Sequence, residues 1–265
     1  MSPKTEIVPI RCLKDNYAYL LHCNGKTALF DAPEAQPILD VLGERGWTLN
    51  HILLTHHHDD HVQAVPELVE AFSEVIIPFK RGHKPRVIPP IVTGAAIDAY
   101  RLPSQVNQFI VPGHRMPVVG LKTKVMGVSG HTIGHLAYFV PDVQAVFTGD
   151  SLMALGCGRI FEGTPEMAWE SLKNLNTLHR KTRVYSGHDY CAGNAAFALS
   201  VDPDNKALKA RVEAIAKGVR PCVPATLDEE RATNPFLRAE ALASSLGVAD
   251  APAAFAKLRQ MKDDF

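Results

Sequence analysis

Short apolar runs and alternating stretches fill the first two thirds of the chain, and helical spacing takes over in the last third. Residues 6–11, 17–23 and 26–30 read as strands, and Asn24-Gly25 supplies a hairpin turn between the last two. Residues 37–45 read as a helix, with Pro37 in its first turn, Ile38, Leu39 and Leu42 on one face, and Gly46 after its end. Ile52-Leu53-Leu54 reads as a buried strand. A polar stretch follows, then a helix over 62–72 that tolerates Pro66 only near its first turn. Residues 74–78 read as a strand, and 79–107, with several Pro and Gly and no clear period, as loop. Further strands are expected at 121–128, 136–140, 145–147 and 183–186. Between the last two lies a helix capped by Thr164, with Pro165 first and Trp169, Leu172 and Leu175 on its apolar face.

Beyond about residue 190 strand signals stop. A helix is expected from Asp202-Pro203 to about Lys217, ended by Gly218. Thr226 and Glu229 fit a capping box, and two short helices follow near 238–246 and 251–264. The pattern predicts an α/β protein with an α/β domain over 1–189 and a helical subdomain over 190–265.

The polar stretch Thr55-His56-His57-His58-Asp59-Asp60-His61 sits where a strand ends and a helix begins, the usual place for chemistry on such a scaffold. Residues two apart in an extended segment point the same way, so His56 and His58 converge while His57 faces away. The turn into the helix then aims Asp60 and His61 at a second nearby point. Three more polar residues stand beside glycines at strand ends: His131, Asp150 and His188. Imidazole and carboxylate are donors that zinc, iron and manganese accept. Seven such donors exceed what one tetrahedral ion uses and suffice for two ions sharing a carboxylate. Asp31 ends the third strand either as a turn residue or as a support for a metal-bound histidine. His57 and His135 read as structural residues or as supports of the donors, and the lone His83 and His114 as surface or structural residues.

Composition narrows the class. In 265 residues, 28 Lys+Arg balance 28 Asp+Glu, which argues against a nucleic-acid binder. The five cysteines are odd in number and form no CxxC pair, so a disulfide framework or zinc ribbon is not expected and a reducing compartment is. The first residues show no apolar signal region and no apolar run reaches membrane-spanning length, so a cytoplasmic protein with no membrane partner is expected.

The run THHHDDH, with Gly130-His131-Thr132, Thr148-Gly149-Asp150 and Gly187-His188, resembles the metallo-β-lactamase superfamily. Further stretches resemble one branch of it, glyoxalase II (hydroxyacylglutathione hydrolase). They are Leu13-Lys14-Asp15-Asn16-Tyr17, the segment from Gly156 to Gly163, Gly187-His188-Asp189-Tyr190, the segment from Arg231 to Arg238, and Arg259-Gln260-Met261-Lys262-Asp263. The resemblance covers essentially the whole chain and implies an αββα sandwich. It also implies one divalent ion, zinc before iron or manganese, on His56, His58 and His131, a second on Asp60, His61 and His188, and Asp150 between them. Asp60 and Asp150 would be catalytic. Arg159, Phe161, Tyr190, Arg259 and Lys262 would bind the glutathione thioester. The implied protein is a monomer that hydrolyses S-D-lactoylglutathione to glutathione and D-lactate, the second step of methylglyoxal detoxification.

Spacing alone would leave Arg259 and Lys262 as a solvated helix face. Phe161 stands where many members carry tyrosine, Ser129 where proline is common, and Gln63-Ala64 where glycines are frequent. Cys157 is the one tempting covalent nucleophile, but a small residue packed in a glycine turn is the preferred reading. The rival readings are an iron-dependent persulfide dioxygenase of the same fold, a nuclease, and a metal-binding domain without catalysis.

Overall fold

The computed structural model describes residues 5–76 and 86–265. The described chain forms two compact units, residues 1–111 with 115–123, and residues 112–114 with 124–265.

The first unit opens with β1 (Thr5–Cys12), β2 (Asn16–Cys23) and β3 (Lys26–Phe30), an antiparallel meander. Asn24 at φ 53° and Gly25 at φ 75° are both left-handed, as a two-residue hairpin requires. There follow α1 (Ala35–Arg45), β4 (Leu49–Leu53), α2 (Asp59–Val62), α3 (Val65–Ala71), β5 (Glu74–Ile76), β6 (Arg86–Ile88), β7 (Ile91–Ala95), β8 (Gln108–Ile110) and β9 (Arg115–Val118). The sheet runs β1-β2-β3-β4-β7-β8, with β3, β4, β7 and β8 parallel. Ile38 and Leu42 of α1 and Val65 and Leu68 of α3 bury with Leu20, Leu29 and Ile52 of the sheet.

Two expectations change here. The helix predicted over 62–72 is two helices, and Pro66 lies in the first turn of the second, where its missing N–H costs nothing. The segment read as loop over 79–107 holds β6, β7 and a 3₁₀ turn at Ala96–Asp98, and β8 begins just after it. Pro89-Pro90 and Gly94 obscured β7, whose parallel partners leave no hairpin turn to read. Gly94 makes room for Leu102, whose Cδ1 lies 2.5 Å from where a Cβ would stand. The expected strand end at Pro78, and His83, fall outside the described residues.

The second unit takes up β10 (Leu121–Gly127) from Lys124 onward. It continues with β11 (Leu136–Val140), β12 (Ala145–Gly149), β13 (Leu152–Met153), β14 (Gly156–Cys157), α4 (Pro165–Leu175), β15 (Arg183–Ser186), α5 (Cys191–Val201), α6 (Lys206–Ala216), β16 (Ala225–Thr226), α7 (Leu227–Thr233), α8 (Ala239–Leu242) and α9 (Ala251–Asp263). Strands β16, β15, β12, β11 and β10 lie side by side in that order, parallel only between β12 and β15. Leu172 and Leu175 of α4, Phe197 of α5, Phe236, and Phe255 and Leu258 of α9 form its core with Val146 and Val184 of the sheet.

The tail departs from expectation in three places. The helix expected from Asp202 to about Lys217 is α6, which starts only at Lys206, where Asn205 Oδ1 accepts from Leu208 N at 3.0 Å, and α5 before it was not foreseen. Residues of α5 are apolar nearly all round, so no periodic stripe marks the helix. A two-residue strand, β16, lies within the stretch where no strand signal was found. Cys191 and Cys222 form a disulfide, against the reading of the cysteines, because the start of α5 and the segment before β16 bring their Cα atoms within 6.3 Å. Cys12, Cys23 and Cys157 are free and buried.

A buried polar cluster ties this tail to the β13–β14 hairpin. Arg211 Nη2 donates to Glu230 Oε1 at 2.5 Å and Nη1 to Thr233 Oγ1 at 2.6 Å. Glu230 Oε2 accepts from Leu155 N and from Asn234 Nδ2, which also donates to Met153 O and Gly156 O. Leu155 is thereby held at φ 58°, a left-handed conformation that leucine rarely adopts. Glu230 is wholly buried, so Arg211→Met strands a carboxylate in the core. We expect a loss of about 3–5 kcal/mol, measured as a lowered denaturant midpoint with an unchanged slope.

Candidate active site

In the first unit the donors follow β4. Thr55 and His56 are buried, Asp59 faces solvent, and Asp60, its side chain 42% exposed, lies beside buried His61. Asp31, at φ 58°, orients the group. Its Oδ1 accepts from Thr55 N at 2.8 Å, and its Oδ2 accepts from Thr55 Oγ1 at 2.8 Å and lies 2.9 Å from His61 Nδ1. The Thr55 hydroxyl gives its proton to Asp31, so its oxygen is the acceptor for His56 Nδ1 at 2.9 Å. A single carboxylate therefore fixes the tautomer of His61 directly and of His56 through Thr55. Both rings turn their Nε2 lone pairs the other way. His56 Nε2 lies 3.1 Å from His58 Nδ1, and His61 Nε2 lies 3.6 Å from Asp60 Oδ2. Asn16 Nδ2 donates to Asp60 O at 2.9 Å and to Asp60 Oδ2 at 3.0 Å, which sets that carboxylate's direction.

In the second unit His131, Asp150 and His188 come together, each beside its glycine and all nearly buried. His131 Nδ1 donates to Arg159 O at 2.8 Å, since a carbonyl only accepts, and this turns its Nε2 toward Asp150 Oδ2 at 3.4 Å. His188 Nε2 lies 3.2 Å from the same oxygen. Asp150 N donates to His135 Nε2 at 3.1 Å, so His135 supports the backbone of a donor. Gly158 packs against this group: a Cβ there would stand 1.9 Å from Asp150 O and 3.2 Å from His131 Nδ1.

The donor chemistry fits divalent cations. In each unit an imidazole whose Nδ1–H is already committed presents a lone pair to a carboxylate oxygen 3.4 to 3.6 Å away. Lone pair against carboxylate is repulsive unless a cation shares them.

The expected substrate residues all belong to the second unit. Tyr190 stacks on His188 with centroids 4.6 Å apart, and the Phe161 ring meets His131 edge-on at 5.2 Å. Both rings are largely exposed. Arg159, Arg259 and Lys262 gather near Asp263. Arg159 Nε lies 3.3 Å and Arg259 Nη2 2.9 Å from Asp263 Oδ1. Arg259 is 5% exposed, donates to Cys157 O at 2.8 Å and lies over Phe236, so it is no solvated helix residue. Lys262 keeps its ammonium over the Phe197 and Phe265 rings, and its pKa is lowered, first by burial and then by the Arg259 and Arg159 charges. Burial pushes the Cys157 thiol up to about 11, which denies it the role of nucleophile near neutral pH.

Sequence reasoning left Asp31 between two roles, and the structure gives it both, at a left-handed turn and against His61. It missed Thr55 and Asn16 as supports. Asn16 stood within the quoted stretch Leu13–Tyr17, but its partner Asp60 is 44 residues away.

Two family profiles match the chain. Residues 14–188 match the metallo-β-lactamase superfamily, and residues 189–265 match the hydroxyacylglutathione hydrolase C-terminus. A hydroxyacylglutathione hydrolase of Ruegeria pomeroyi is 49% identical over 98% of this chain and 99% of its own. One of a Jannaschia species is 50% identical over 98% of each chain. The crystal structure of the BLEG-1 B3 metallo-β-lactamase superposes with a TM-score of 0.66 at 19% identity, over 88% of this chain and 99% of that one, which shows the shared fold. With a divalent-metal donor set on a metallo-β-lactamase fold and relatives matched from end to end, the chain belongs to the hydroxyacylglutathione hydrolase (glyoxalase II) family.

Proposed function

We propose that the chain hydrolyses S-D-lactoylglutathione to glutathione and D-lactate, the second step of methylglyoxal detoxification, as a dinuclear metal-dependent thioesterase. His56, His58 and His131 would hold one ion and Asp60, His61 and His188 the other, with Asp150 shared. The observation that carries this is the facing of imidazole lone pairs and carboxylate oxygens in both units. Zinc is the first choice, and iron and manganese accept the same donors. Such ions supply Lewis acidity, making hydroxide available near neutral pH and polarising an acyl oxygen.

The chain's own residues do the rest. Asp60, aimed by Asn16, orients the attacking water. Tyr190 stacks on the ring of His188 and Phe161 meets that of His131 edge-on, so the two exposed rings border the place of the reacting carbonyl. Phe161 offers a ring and no hydroxyl, so peptide recognition falls on Tyr190 and the cations. Arg159 and Lys262 suit the two carboxylates of glutathione. Arg259, already bonded to Cys157 O, keeps the Arg159 loop in place as well as adding charge. A thiolate leaves readily, so no strong general acid is needed. We assign residues 1–189 to catalysis and 190–265 to substrate binding. The formal net charge of zero supports a small-molecule substrate and no nucleic-acid partner. No helix among the described residues is long and apolar enough to cross a membrane. We take the protein to act as a cytoplasmic monomer.

The test is thioester hydrolysis followed by absorbance and released thiol, with and without a strong chelator. Rapid release that the chelator stops supports the reading, and a metal-loaded sample that leaves the thioester intact refutes the substrate. Asp150→Ala should lose metal and turnover together, and a metal-replete, fully active variant would remove Asp150 from its shared position. Gly158→Ala, by pushing on the Asp150 carbonyl, should lower kcat/KM about 100-fold while far-ultraviolet circular dichroism is unchanged. Lys262→Ala should raise KM about tenfold with kcat within twofold, read from initial rates.

A further inference from the structure

His57, the middle ring of the histidine run, takes no part in the proposed metal site and is nevertheless tightly held. Its side chain is 12% exposed and faces the turn after β7. Two residues of that turn meet it. Asp98, whose side chain is wholly buried, takes a hydrogen bond on Oδ1 from Arg101 Nη2. Its Oδ2 lies 3.5 Å from His57 Nδ1. Arg101 Nη1 lies 3.1 Å from His57 Nε2. A guanidinium can only donate, so His57 Nε2 is the acceptor and the ring proton sits on Nδ1, turned toward Asp98. The two residues thus face both nitrogens of one ring, Arg101 through a hydrogen bond and Asp98 through an ion-pair approach of 3.5 Å.

The grip is itself fixed. The Asp98 carbonyl accepts from Arg101 N at 2.8 Å and Leu102 N at 3.1 Å, and Leu102 fills the space that Gly94 leaves on β7. The turn is therefore anchored to a central strand of the sheet. A buried carboxylate is costly unless paired, so its place under the histidine run is a strong constraint rather than a neutral one. Holding His57 fixes the backbone at the centre of His56-His57-His58. In extended chain that sets where the two flanking rings project.

We propose that Asp98 and Arg101 are positioning residues for the metal: by clamping His57 they preorganise His56 and His58 as a ligand pair. This rests on the reading that those two histidines hold an ion. The chain between 79 and 107 carried no sequence signal for it, because an Asp and an Arg three apart in apparent loop are ordinary.

The experiment compares zinc affinity of wild type, Asp98→Asn and Arg101→Lys by competition with a chromogenic chelator. Thermal melting of the chelated proteins is followed beside it, with kcat and KM of fully loaded samples. Lysine keeps a cation beside Asp98 but cannot span both Asp98 and His57. Zinc affinity should fall about 10–100-fold in both variants, KM should stay at the wild-type value, and Arg101→Lys should melt near wild type. A variant that melts lower without metal yet binds zinc as tightly as wild type would make the pair merely structural and overturn the proposal. So would wild-type affinity and melting in both. A wild-type protein that held no divalent metal would overturn this proposal together with the function it rests on.

Discussion

The Asp31 carboxylate is the constraint on which the first donor set depends. It sits at a left-handed residue just after β3, accepts from the backbone and hydroxyl of Thr55, and accepts from His61 Nδ1. Imidazole has two nitrogens and one ring proton, so placing that proton decides which lone pair remains for a ligand. Asp31 makes that decision for His61 directly and for His56 through the threonine hydroxyl. In the second unit a main-chain carbonyl, that of Arg159, does the same for His131. The two units thus reach the same outcome by different chemistry, a charged acceptor in one and a neutral peptide in the other.

A neutral acceptor is only as good as the loop that carries it, and the second unit devotes a polar core to that loop. Glu230 and Asn234 bind the backbone of Met153, Leu155 and Gly156, Arg259 binds the carbonyl of Cys157, and Gly158 lies flat against Asp150. Arg211 neutralises the carboxylate at the centre of this arrangement. Helices from the chain's last quarter therefore act on the proposed metal donors at one remove. This is a physical reason for a catalytic fold to carry such a tail besides any contact with substrate.

Much of this was legible in the sequence because it is local. The hairpin at Asn24-Gly25, the Thr164 and Thr226 caps and the strand leading into the histidine run depend on residues within a few positions of one another. All seven proposed metal donors carried a local mark, a histidine cluster or a neighbouring glycine. What escaped was long-range or unpatterned. Strand β7 has parallel partners and prolines before it, and α5 is apolar on every side. Cys191 and Cys222 are 31 residues apart with nothing between them that announces a bond. Asn16 on Asp60 and Arg101 on His57 are contacts across 44 positions. Arg259 shows the opposite case: its place on the last helix was readable, but its burial beneath Cys157 was not.

The bond between Cys191 and Cys222 has a topological consequence. It begins one residue after Tyr190, and it encloses α5, α6 and the turn between them in a single covalent ring. Inside such a ring the main chain is no longer the only connection between its two ends. A backbone cut in the Asp202–Asn205 turn would open the ring into a line without releasing a fragment. Tyr190 would stay tethered, through sulfur, to the segment that leads into β16 and α7.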